Sequence, residues 1–314
     1  MNLFVKRVLL FLVGVVGILF LLEYSFNQYA SQSKYYVLKD GTTTLIAGNS
    51  RPECAFNDSI ISNTVNIAAV AEPYFYTYIK LRKLLAANPG IQNVFVELGN
   101  NSLLDSAMNE WVYGKGAIQY LYPKYAQLMS FQEKNILLQN NPMEFLKSIS
   151  LNFKANFILL SSRSTNALKS KLMGGYTAKT GSHIFENIND KKQVADHSSK
   201  NSLAEFNLSY LDKIVVLCKA NKRNIYFIQS PVHPAYNLTQ SNRLYDSILE
   251  HRYRGIKLLD FSKFQMVDAD YFDFHHLNSD GARKVSYAMD SILLLLKSNP
   301  NKLNYQTNRL EVSK

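Results

Sequence analysis

The sequence predicts an α/β protein with a five-stranded parallel sheet and helices on both faces. Five short apolar runs have strand length and composition: Thr43–Ala47, Thr64–Ala69, Asn93–Leu98, Asn224–Gln229 and Lys257–Asp260. They are almost continuously apolar rather than alternating, as expected of strands buried on two faces, and helical patterns separate them. In such a sheet the ligand site lies outside the carboxyl ends of the strands. Ser50, Asn100, Asn101, Ser230 to His233, Asp273 and His276 all follow strand ends or sit in late loops, so they are expected to share one rim.

Taken in order, the chain opens with Lys6 and Arg7 before an uncharged apolar run from Val8 to Leu22, closed by Glu23. The run gives roughly 22 Å of helix against a hydrocarbon core of ~30 Å. Phe4 and Val5, with the two cations snorkelling outward, make up much of the difference. No small-residue cleavage site follows Leu22, so residues 1–23 read as an uncleaved signal anchor. The positive flank is N-terminal, which places the rest of the chain outside the cytoplasm as a single-pass membrane protein. Residues 24–40 read as a stalk and 41–297 as the α/β domain.

Within that domain, Arg51–Ile61 reads as a helix after the first strand, and Pro73 opens another that runs to Ala87. Residues 103–202 break the alternation and read as a helical insertion, with patterns around 142–150 and 154–173 and a polar section at 174–202. Regular order returns with helix Leu203–Ala220, followed by a helix near 241–252 and a last helix, Gly281–Lys297. Residues 298–314 read as a loosely ordered polar tail.

Composition narrows the classes. Two cysteines, Cys54 and Cys218, exclude a disulfide-rich scaffold, and nothing has metal-ligand spacing; no cofactor is implied. Both cysteines fall on apolar helix faces and read as buried thiols, with one disulfide left open. The net charge is +11, but its bases are scattered and no nucleic-acid module accompanies them. An anionic membrane or acidic envelope polymer suits this charge better than nucleic acid does.

The chemistry gathers at two distant stretches. Gly48-Asn49-Ser50 ends the first strand in a tight turn that puts a serine at a helix start, where backbone N–H groups face a developing oxyanion. Serine attacks only when a base takes its proton and a third group orients that base. Asp273 and His276, three apart in Asp273-Phe274-His275-His276-Leu277-Asn278, supply both on a single turn. Arg51 is a candidate for steering an anionic substrate. His233, between Pro231 and Pro234, is a candidate substrate contact or a rigid-loop residue. Trp111, Tyr113, Tyr120, Tyr122 and Tyr125 either stack on sugar rings or pack inside the insertion.

Gly48-Asn49-Ser50, Gly99-Asn100-Asn101 and Asp273-x-x-His276 resemble the first, third and last blocks of the SGNH (GDSL-like) hydrolase superfamily. The resemblance covers roughly residues 40–105 and 203–297 and implies a flavodoxin-like, SGNH-type fold. It implies Ser50 as nucleophile, His276 as general base and Asp273 as its orienting carboxylate. Asn101, or its neighbour Asn100, would be an oxyanion donor beside the Ser50 N–H. Two positions depart from the pattern: Asn49 replaces the usual aspartate, and the second block, Asn66 to Ala71, has no glycine. An alanine N–H, at Ala69 or Ala71, would have to donate there.

With the anchor and the insertion, the chain is similar to membrane-tethered members that handle acyl groups on envelope polysaccharides, some beside a membrane-bound O-acyltransferase. That similarity implies an acylated glycan or similar ester as substrate and an acyl-Ser50 intermediate. Two alternatives remain open. One is a non-catalytic SGNH-like module that binds glycan or supports an acyltransferase. The other is a flavodoxin-like binding domain with Ser50 and His276 beyond hydrogen-bond reach.

Overall fold

The computed structural model describes residues 3–31, 36–99, 102–103, 108–161, 173–184, 203–236, 242–298 and 309–311. The elements are, in order, α1 (Leu3–Ser31), β1 (Thr44–Ala47), α2 (Ser50–Ala55), β2 (Thr64–Asn66), α3 (Tyr74–Ala87) and β3 (Asn93–Glu97). There follow α4 (Met108–Tyr113), α5 (Ala117–Tyr125), α6 (Phe131–Asn140), α7 (Pro142–Ser161) and α8 (Glu205–Ala220). The chain continues through β4 (Asn224–Gln229), α9 (Asn242–His251), β5 (Lys257–Asp260), α10 (Ser279–Ser298) and β6 (Arg309–Glu311). It divides into two compact units, Met1–Tyr36 with Tyr113–Leu172, and Val37–Val112 with Met173–Lys314.

In the first unit, α1 is long and apolar enough to cross a membrane, and its large side chains from Leu3 to Leu22 are mostly exposed. The helix does not end there. Glu23, Asn27 and Ala30 are buried on one stripe, so residues 24–31 are helix where a stalk was expected. Glu23 accepts hydrogen bonds from Tyr122 Oη (2.5 Å), Asn152 Nδ2 (3.0 Å) and Asn27 Nδ2 (3.2 Å), with Lys134 Nζ at 3.6 Å. A buried carboxylate satisfied this fully explains why the helix persists beyond its apolar run.

The helices between 108 and 140 were not apparent from periodicity. Pro123 interrupts the pattern of α5. In α6 a polar face hides a helix secured by a Ser130/Glu133 capping box. The two patterns expected around 142–150 and 154–173 are, over the described residues, one continuous helix, α7. Tyr122 and Tyr125 are fully buried and act as packing, whereas Trp111 and Tyr120 are each 46 % exposed.

The second unit carries a parallel sheet of order β2-β1-β3-β4-β5-β6. The first five strands are those expected and follow the flavodoxin-like order, whose switch point lies between β1 and β3. Ile46, Phe95, Ile228 and Leu259 join Phe261 and the α10 residues Val285 and Met289 in one buried cluster. The alternate residues Leu45, Val94, Val96, Phe227 and Leu258 point the other way and are also buried. The sheet is therefore covered on both faces, and α3 packs against α8. The tail is not wholly loose, since Arg309–Glu311 pairs with β5 as a short edge strand.

Helix α2 stops at Ala55 rather than Ile61 because Asn66 reaches back to it. Asn66 Nδ2 donates to the Pro52 and Phe56 carbonyls at 2.9 and 2.7 Å, and Ile60 and Ile61 turn onto the Asn57 carbonyl. Cys54 and Cys218 are free and buried, and burial pushes both thiols up to about 12, which leaves them unreactive.

Candidate active site

The turn after β1 is built for close approach. Gly48 has φ +148°, and a Cβ there would lie 2.5 Å from Glu97 Cβ and 2.9 Å from Pro52 Cγ. Only glycine fits both the conformation and the space. Asn49 then caps α2, its Oδ1 accepting the Arg51 N–H at 3.0 Å. An asparagine performs that cap as well as an aspartate does. Ser50 follows, partly exposed, at the carboxyl end of β1 and beside the switch point.

The second stretch arrives on a hairpin-like loop. Tyr271 and Leu277 form an isolated antiparallel bridge, and Phe272 N–H donates to the His276 carbonyl at 2.9 Å. Asp273 Oδ1 accepts the backbone N–H groups of His275 (2.7 Å) and His276 (2.9 Å), which closes the turn. Asn278 caps α10 by accepting from Asp280 N and Gly281 N, both at 3.1 Å. A side chain at Gly281 would strike the Asp270 carbonyl at 2.3 Å, so glycine lets the helix start sit against this loop.

The two stretches meet. His276 Nε2 lies 2.8 Å from Ser50 Oγ, and His276 Nδ1 lies 2.9 Å from both Asp273 oxygens. With Nδ1–H donating to the carboxylate, Nε2 is left as acceptor of the serine proton. Burial alone would raise the Asp273 carboxyl. The His276 bond and charge and the two backbone N–H groups outweigh it and hold the acid below its ordinary value. The wide Ser50–His276 separation expected of a plain binding domain is absent.

The other candidates are placed differently. Asn100 and Asn101 lie outside the described residues. Flanking them, Gly99 accepts from Ser102 N at 2.9 Å, and Ser102 Oγ is 3.4 Å from Asn49 Nδ2. The Ala69 N–H, expected as an oxyanion donor, donates instead to the Gly48 carbonyl at 3.0 Å. That correction follows from parallel pairing running on past the ends of β1 and β2. Ala71 takes a left-handed conformation, φ 55°.

His233 is corrected as a substrate contact. It is 7 % exposed, its Nδ1 accepts from Ala235 N at 3.1 Å, and Nε2–H donates to Asp268 Oδ1 at 3.2 Å. Its own N–H donates to the Phe274 carbonyl at 3.1 Å, so the residue braces the loop that carries Asp273 and His276.

Sequence reasoning missed three supports. Ser230 N–H and Oγ donate to the buried Glu97 carboxylate, at 3.2 and 2.7 Å, locking the carboxyl ends of β3 and β4. Lys80 and Glu72 form a buried pair beneath the β2–α3 loop. Residues 173–184, expected as part of the insertion, run along the second unit. Gly175 N bonds the Ala68 carbonyl, Thr177 N the Glu53 carbonyl and His183 N the Phe272 carbonyl. Backbone contacts of this kind leave no side-chain pattern to read.

Glu97 has a measurable signature. Burial raises its carboxyl to about 7, against the Arg51 charge and the Ser230 bonds, which lower it. The folded state thus keeps a proton that the unfolded chain releases near pH ~4.3, so stability falls as pH rises from about 4 to about 7. Glu97→Gln is expected to remove that slope. Thermal unfolding at about pH 4.5 and about pH 7.5 checks it.

Among comparisons with known proteins, a protein-family model that carries no functional description matches residues 166–295, less than half of the chain. No curated protein matches the sequence. Among the described residues no group of His, Cys, Asp or Glu is arranged to hold a metal ion.

Proposed function

We propose that this chain is a membrane-anchored, SGNH-like serine esterase or O-acyltransferase acting on acyl esters, most simply acetyl esters, of cell-envelope glycans. The observation that carries the reading is the hydrogen-bonded line Ser50–His276–Asp273 at the carboxyl rim of a parallel sheet. Ser50 Oγ attacks the ester carbonyl carbon while its proton passes to His276 Nε2. The tetrahedral adduct collapses to acyl-Ser50, and the leaving alkoxide takes that proton. Water or a sugar hydroxyl then attacks the acyl group, again yielding its proton to His276, which passes it to the departing Ser50 Oγ as the acyl–oxygen bond breaks. Asp273 holds the ring tautomer and offsets the imidazolium charge. The Ser50 N–H and the side chain of Asn101 or Asn100 supply the oxyanion donors in this reading.

In this reading helix α1 is the anchor, and the cations Lys6 and Arg7 in its first two turns favour an orientation with the α/β unit outside the cytoplasm. The net charge of +11 suits an anionic envelope surface. A membrane-bound O-acyltransferase is the partner that fits a transfer reaction. A second reading, a non-catalytic glycan-binding or acyltransferase-partner module, is favoured by the engagement of the Ala69 N–H with Gly48, which removes one expected oxyanion donor.

Hydrolysis of p-nitrophenyl acetate by the full-length chain in detergent separates the two readings. Turnover that saturates and follows protein concentration supports the esterase. Release at the buffer rate by folded protein, alone and with acyltransferase-containing membranes, supports the binding module.

A further inference from the structure

Arg51 follows Ser50 directly in the chain. It is 5 % exposed, and its Nη2 is buried with no hydrogen-bond partner among the described residues. Its guanidinium lies over the Tyr236 ring, 5.6 Å from the centroid. Tyr236 in turn packs edge-on against His275 at 4.3 Å, and His275 sits 6.1 Å from the His276 ring. A line of rings therefore joins the guanidinium to the His276 side of the candidate centre. A buried cation with an unsatisfied N–H is costly to retain for packing alone, because the fork has five donors to satisfy.

The nearby carboxylates are already engaged. Asp273 accepts from the His276 ring and from two backbone N–H groups, and Glu97 accepts from the Ser230 N–H and hydroxyl. His275 brings no competing charge, because burial, and then the Arg51 charge, pushes it down to about 4. A guanidinium fork binds best an anion with planar, two-oxygen geometry, such as a carboxylate.

We propose that Arg51 is the specificity-determining contact of this site and that it selects esters bearing a carboxylate over neutral ones. This rests on Ser50 as the centre of the site and names the substrate class: an acylated acidic sugar, with the carboxylate on the alcohol side, or a dicarboxylic half-ester, with it on the acyl side. In both, the carboxylate pairs with the Arg51 guanidinium while the ester carbonyl meets Ser50.

Matched ester pairs test this with the full-length chain in detergent. 4-Acetoxybenzoate against methyl 4-acetoxybenzoate places the charge on the alcohol side. Mono-4-nitrophenyl glutarate against 4-nitrophenyl butyrate places it on the acyl side. Wild type is expected to favour the charged member of one pair by about 10- to 100-fold in kcat/KM, as a charge-assisted hydrogen bond allows. Arg51→Gln is expected to erase that preference by raising KM far more for the charged ester than for the neutral one. Arg51→Lys keeps the charge but loses the fork, and is expected to restore only part of it.

An equal fall for both members would make Arg51 a structural counter-charge of Glu97 and overturn the proposal, as would a wild type indifferent to charge. Should Arg51→Gln fail to fold, Arg51→Gln with Glu97→Gln, which removes both charges, carries the comparison. Equilibrium binding of the same esters to Ser50→Ala and to Ser50→Ala with Arg51→Gln needs no turnover. Arg51-dependent preference there, without turnover in wild type, would retain the carboxylate site and reject the esterase. The reverse pattern would reject the carboxylate site alone.

Discussion

His276→Ala is expected to lower kcat for p-nitrophenyl acetate by about 10⁶-fold and to leave KM within a few-fold, since members of a triad act as a unit. The ring holds Ser50 Oγ at 2.8 Å and is itself held by Asp273 at 2.9 Å, and among the described residues no other base takes that place. His275, the adjacent imidazole, packs against Tyr236 instead. Asp273→Asn is expected to be milder, about 10⁴-fold, because an amide at that position favours the wrong tautomer without removing the base. Both side chains are partly exposed, so neither change should alter the unfolding temperature much. Steady-state kinetics beside a thermal melt reads both effects. A His276→Ala protein that kept a tenth of wild-type activity would reject the assignment of the base.

Lys80→Met is expected to destabilise the second unit by about 3–5 kcal/mol, the usual result of removing one partner of a buried ion pair. Lys80 is fully buried. Its ammonium donates to the Ile67 carbonyl, to Met173 O at 2.9 Å and to Glu72 Oε2 at 2.7 Å. One side chain thus ties the loop after β2 to the segment that begins at Met173. That segment approaches so closely that a Cβ on Gly174 would lie 2.2 Å from the Ala68 carbonyl. Methionine keeps the length of the side chain but takes the cation from Glu72, which retains the Thr77 hydroxyl, and a donor from two carbonyls. Lys80→Met combined with Glu72→Gln removes that carboxylate's charge and should recover part of the loss, which denaturant unfolding of the three proteins measures. A Lys80→Met protein within about 1 kcal/mol of wild type would contradict this account of the loop.

The sheet was legible because buried parallel strands leave continuous apolar runs, and Asn93–Leu98 and Asn224–Gln229 read as strands to within a residue. The pairing of Ser50 with Asp273 and His276 was legible for a related reason. Each sits in a short segment whose neighbours have conformational duties: Gly48 for its close approach, Asn49 and Asn278 as caps, Gly281 for its contact with Asp270. What stayed hidden was set by tertiary contact. Glu23 and Asn27 look like the end of an anchor until Tyr122 and Asn152 satisfy them. Lys80 looks like an exposed helical lysine in a sequence that cannot show the carbonyls it meets. Ala69 reads as a donor because the sequence does not reveal that β-type pairing continues past Asn66.

The central claim is that Ser50 is a nucleophile activated by His276, and covalent capture tests it without knowledge of the natural ester. Full-length protein in detergent is treated with a fluorophosphonate probe, then digested and mapped by mass spectrometry, beside Ser50→Ala and His276→Ala. The account predicts one adduct, on Ser50, absent from Ser50→Ala and formed far more slowly in His276→Ala. Folded wild-type protein that takes no label, or a label that persists in Ser50→Ala, would contradict it.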